Sequence, residues 1–319
     1  MNSPRSFWSL AKLTWVEIPR QPALLLLTTT LILFIGCLPF LITHNLGEPG
    51  KLVRDSSLAL MFLGSLLLAV PSACHAVSSE IRGGTAGAIL SKPVGRLRFL
   101  AAKCTGVSMV MFSFSGMAII AILLADRAAA RDFQVGWRFL IPLYLAVLGA
   151  YAIAGAINYL TRRPFVSTAY WCMALFLIIA FAYTLTLTGG EEISIEVPVR
   201  WDILPAGALL TMAALMIQSL ALLCAFRLAV VSSLVVCSGV FLTGLLSDYL
   251  LAARATEELW ARLLYMVLPN WQHFWMADAL TAGGSVPWSY VAQAAGYAGA
   301  WILGVLLIAL GCFDRMEIR

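Results

Sequence analysis

The chain has 319 residues, 61% of them hydrophobic and only 12% charged, with a mean hydropathy of +0.90 and a formal net charge of +5. Soluble domains carry about 45–50% apolar and about 25% charged residues, so the composition excludes an ordinary globular enzyme, a disordered chain and a nucleic-acid binder. It predicts an all-α polytopic membrane protein, in which the placement of charge carries more information than its sum.

Residues 1–23 interleave Arg5, Lys12, Glu17 and Arg20 with Phe7, Trp8, Leu10, Leu13 and Trp15. This mixed pattern predicts a helix lying in the membrane interface rather than a cleavable signal. Residues 24–319 read as one membrane domain. A spanning helix needs about 20 apolar residues, and eight runs qualify: 24–42, 57–78, 100–125, 139–160, 166–187, 205–226, 228–250 and 291–312. Only Arg227 separates the sixth run from the seventh. If these two form one broken or re-entrant element the count falls, with six spans as the alternative.

Charge placement orients the chain. With the N-terminus inside, the inner segments hold 13 basic and 4 acidic residues, and the outer ones 8 basic and 12 acidic. The excess of Lys and Arg near inner span ends supports this orientation, and an even span count then puts both termini on the cytoplasmic side of a cell (inner) membrane.

The second and third runs are joined by residues 79–98, a stretch too polar to span and too apolar for a free loop. Ala86, Leu90, Val94 and Leu97 recur at nearly helical spacing. Pro93 disfavours helix at Lys92. The expectation is a short helix along the inner face, then a bend and re-entry into the membrane. Its apolar side suits a partner's groove and its basic side suits anionic lipid headgroups.

The fourth outer segment, 251–290, is amphipathic. Leu259, Leu263, Leu264 and Val267 have helical spacing, and Trp271 to Met276 follow Pro269 and Asn270. It predicts one or two interfacial helices with an aromatic belt, serving as an anchor or as a cap over an exit path. Gly296, Ala300 and Gly304 in the last run predict a close helix-packing seam, within the chain or between subunits.

Other residue types narrow the function. The seven cysteines form no Cys-x-x-Cys pair and the three histidines are far apart in sequence, so no metal or haem site is predicted. No Gly-x-x-x-x-Gly-Lys-Ser/Thr loop occurs, so the chain is not expected to bind ATP by that route. Asn158 and Gln218 are the main polar residues within spans and are read as helix–helix hydrogen-bonding groups. An intramembrane lipid-processing enzyme needs ionisable residues in the spans, and the span interiors lack acids and histidine except His75, which sits near an inner end. A non-enzymatic membrane scaffold is the other alternative.

The segment Glu80-x-Arg82-Gly83-Gly84-Thr85, followed by Leu90-Ser91-Lys92-Pro93-Val94-x-Arg96 and then Lys103, resembles the cytoplasmic segment of ABC-2 type transporter permeases. Two other patches are similar to that family: the amphipathic stretch ending Glu17-x-x-Arg20, and the ending Phe313-Asp314-Arg315-Met316-Glu317. Leu268-Pro269-Asn270 is similar to one subgroup. The resemblance implies a non-catalytic permease subunit of an exporter. Residues 79–98 would be its coupling helix, seated in a cleft of a separate ABC ATPase subunit. It implies no cofactor on this chain, ATP and Mg on the ATPase, a second permease subunit, surrounding membrane lipid and no nucleic acid. The family often has six spans, against eight here, and its cargo varies too widely for substrate residues to be carried over.

Overall fold

The computed structural model describes residues 4–42, 50–82, 95–129, 135–186, 197–252, 254, 258–276 and 284–314. Every described regular element is helical, and among the described residues there is no strand. In order they are α1 (Pro4–Glu17), α2 (Pro22–Leu41), α3 (Lys51–Arg82), α4 (Arg96–Ala128), α5 (Trp137–Thr161), α6 (Phe165–Thr186), α7 (Ile203–Ala225), α8 (Val230–Leu245), α9 (Leu259–Val267) and α10 (Trp288–Asp314). A 3₁₀ turn at Ile18–Arg20 joins α1 to α2, and Pro22 opens α2 where its missing N–H costs nothing.

All eight apolar runs are helical, and seven of these helices are long and apolar enough to cross a membrane. The run at 228–250 is the exception in length. It yields the 16-residue α8, which ends at Leu245 and is followed by a π-helical turn, Asp248–Ala252. The sixth and seventh runs do separate at Arg227, in a turn closed by Leu228 N–H donating to the Cys224 carbonyl at 2.9 Å.

Helices α2 and α5 run antiparallel, and the contacts between them show the register. Phe40 meets Trp137 (ring centroids 4.9 Å), Cys37 Sγ lies 3.7 Å from Tyr144 Oη, and Thr29 Oγ1 lies 2.7 Å from Tyr151 Oη. The positions descend on one helix as they rise on the other.

Helices α3, α4 and α7 form the centre of the bundle, with α2, α8 and α10 packed on them. Small residues set these approaches. A Cβ on Gly64 of α3 would lie 2.6 Å from Leu31 of α2, and one on Gly207 of α7 would lie 2.7 Å from Ile119 of α4. Lipid tails are as apolar as leucine, so close backbone approach supplies much of the helix–helix attraction. The α5–α6 pair is a hairpin at the periphery. Its turn uses the left-handed conformation of Arg162 (φ 55°), the one non-glycine residue with positive φ among those described.

Candidate functional site

At one end of the bundle, the backbone of α3 continues through Glu80 to Arg82 and α4 starts at Arg96 after the extended Gly95. Residues 79–82 therefore prolong the second span, and 96–98 already belong to the third. Gly83, Gly84, Thr85, Leu90, Ser91, Lys92 and Pro93 lie outside the described residues, as does the expected short helix. So do Arg315 and Glu317, while Phe313 falls in the last turn of α10.

The same end carries α1, which lies across α4. Ala11 and Thr14 are buried there, and a Cβ on Gly106 would come within 2.7 Å of both the Ala11 carbonyl oxygen and Thr14 Cβ. Only glycine at 106 permits this crossing without moving backbone. Glu17 ends α1 and Arg20 sits exposed in the following turn. One turn before the crossing, Lys103 is fully buried, its ammonium 5.8 Å from the Phe99 ring centroid. A cation over an aromatic face retains part of its electrostatic stabilisation after leaving water.

The other end of the bundle holds a charged cluster whose members count in the sequence only among the outer-segment charges. Arg54, Asp126 and Arg127 are 2%, 5% and 2% exposed. Arg54 Nη1 is 3.9 Å from Asp126 Oδ1, and Arg54 Nε is 4.0 Å from Asp55 Oδ1. Arg127 Nη1 donates to the Thr184 carbonyl and to Thr184 Oγ1, both at 3.2 Å, and its guanidinium carbon lies 4.3 Å from the Phe139 ring centroid. These contacts tie α3, α4, α5 and α6 together. The available signal was position: Asp126 and Arg127 directly follow one apolar run, and Arg54 shortly precedes another.

The described residues of the segment at 251–290 pack against the end of α8 here. Asp248 Oδ1 accepts from Tyr265 Oη and from Asn270 Nδ2, both at 2.8 Å. The bond to the Asp248 carboxylate is the main reason the Tyr265 phenol is raised above its ordinary pKa. Asn270 Oδ1 accepts from the Gln272 N–H at 2.9 Å, and Trp301 Nε1 donates to the Val267 carbonyl at 3.2 Å. The Pro269–Trp271 stretch packs so closely on Gly244 that no side chain fits there. The expected amphipathic helix is α9. Its Leu259, Leu263 and Val267 face outward, and among its described side chains only Ala261 is fully buried. An apolar face turned away from protein in a membrane chain meets lipid.

Two polar residues in the spans behave differently. Gln218 Nε2 on α7 donates to the Cys104 carbonyl (2.9 Å) and Ser108 Oγ (3.0 Å) of α4, the interhelical bond expected of it. Asn158 does not bridge the bundle: its Nδ2 donates to the Arg163 carbonyl and closes the α5–α6 turn, five residues away. The seam expected in the last span also has no partner within the chain among the described residues. A Cβ on Gly296 or Gly304 would meet nothing within 4 Å, and Ala300 is exposed. Among the described residues no group of three or more histidine, cysteine or acidic side chains could hold a metal.

Compared with protein-family models, curated proteins and solved structures, the chain matches none. Fold and residue chemistry together give a multi-pass membrane protein compatible with a role in transport.

Proposed function

We propose that this protein is the permease subunit of an ABC-2 type exporter, coupling ATP hydrolysis on a separate ATPase subunit to cargo movement across a cytoplasmic membrane. In this reading both termini and residues 79–98 face the cytoplasm. A second permease subunit completes the route, and ATP and Mg bind only the ATPase. One observation carries the reading: the Glu80–Arg96 segment joins the inner ends of α3 and α4, two long helices at the bundle centre. A partner seated on that segment acts on the core of the membrane domain rather than on its rim. It can bias the bundle between two states only if it binds those states with different affinity.

Affinity purification of the intact protein from native membranes is expected to recover an ABC ATPase subunit. ATP hydrolysis by the chain alone, or cargo transport without an ATPase, would overturn the proposal. Glu80→Lys is expected to uncouple hydrolysis from transport while insertion and folding stay normal; unchanged coupled activity in that variant would remove Glu80 from the role.

A further inference from the structure

A cavity of about 510 Å³ opens between α1, α4 and α6 at the end of the bundle where α1 crosses Gly106. Trp8, Lys12 and Trp15 line it from one face of α1, at spacings of four and three residues; Met109 and Phe112 of α4 and Trp171 of α6 form the other walls. Trp15 and Trp171 meet edge-on at 5.1 Å. The size falls in the range of small-molecule pockets, about 300–1,000 Å³. Its chemistry is that of a lipid rather than a soluble metabolite. The walls are almost wholly apolar, and the one hydroxyl there, Ser113, already bonds to the Val110 carbonyl (2.8 Å) and to Tyr170 Oη (2.7 Å).

Lys12 is the single charged residue in the lining, and it is exposed at the mouth. Among the described residues no carboxylate forms an ion pair with it. An apolar trough flanked by indoles, with one cation at its mouth, matches a lipid lying with its chain inward and its headgroup at the interface. The headgroup should be anionic. A choline could stack on the indoles, but Lys12 would place a second positive charge beside it. We infer that this groove between α1, α4 and α6 binds one anionic glycerophospholipid, with Lys12 holding the headgroup phosphate and the acyl chain running along Met109 and Phe112. The inference is independent of any ATPase partner.

Native mass spectrometry of the full chain, incubated with equal amounts of dioleoyl phosphatidylglycerol and dioleoyl phosphatidylcholine, tests it. One phosphatidylglycerol should be retained in preference to phosphatidylcholine by about fivefold, the factor that one basic residue beside an anionic headgroup layer supplies. Lys12→Gln, at an exposed position, should bring the two lipids to near parity with the fold intact. Arg163→Gln, an exposed charge at the α5–α6 turn, should leave the preference in place. Equal retention of both lipids by the natural protein, an unchanged preference in Lys12→Gln, or an equal loss in Arg163→Gln would overturn the assignment.

Discussion

Helices α3 and α6 have nearly the same hydropathy, yet 72% of the apolar stretch of α3 is buried in protein against 28% of that of α6. Hydropathy reports only that a segment prefers to leave water. It does not distinguish a neighbouring helix from a lipid tail. What differs is the kind of side chain at the contact. On α3 the buried positions include Ser57, Ser65 and Ser72, whose small side chains admit neighbouring backbone. Ser57 and Ser65 satisfy their hydroxyls on their own helix, at the Val53 and Phe62 carbonyls. On α6 the outward positions are Leu175, Ile178 and Ile179, which need no partner. Burial in this bundle follows from the approach small residues allow, with a few polar ties at the ends.

The contrast predicts a graded response to substitution, readable by thermal unfolding of the full chain in lipid nanodiscs. Asp126→Ala should have the largest effect, a loss of about 3 kcal/mol, because it leaves Asp55 as the one carboxylate offsetting the buried Arg54 guanidinium. An effect below that of a surface mutant would mean water reaches the pair. Gly106→Leu should cost about 1–3 kcal/mol by forcing α1 off α4, whereas Gly155→Leu at the periphery, where a Cβ meets nothing within 4 Å, should be nearly silent. Equal effects would erase the distinction between centre and periphery. Gln218→Leu removes the α7–α4 bond and should cost about 0.6–1.7 kcal/mol, the range found for hydrogen bonds between membrane helices. Ile178→Ala on the outer face of α6 should change stability by less than about 0.5 kcal/mol, since lipid covers the position in any case. A large loss there would reveal a protein neighbour on that face.

The helices themselves were legible because each apolar run is long enough to declare itself. Helix α1 was legible because its charges alternate with aromatic residues, and Gln218 because an amide within a span has few other options. Long-range pairing was not legible. Arg54 and Asp126 lie 72 positions apart in the chain, and nothing local marks them as neighbours. The role of Gly106 depends on which helix crosses it, which composition cannot specify. Asn158 misled because a polar residue near a helix end can serve its own turn as readily as a distant helix. The small residues of α10 signalled a capacity for close packing without identifying a partner, and none is present within the described chain. The candidate segment at 79–98 was conspicuous by its charge in an apolar chain, and only its two ends have a described geometry.

One further consequence follows from the length of α8. Sixteen residues of α-helix rise about 24 Å, whereas the hydrocarbon layer is about 30 Å thick. Val231, Val235 and Leu242 on this helix are exposed, and the π-helical turn Asp248–Ala252 carries the helical path beyond Leu245. If α8 crosses the membrane, this turn completes the span, and Asp248 meets Tyr265 and Asn270 rather than water alone at that depth.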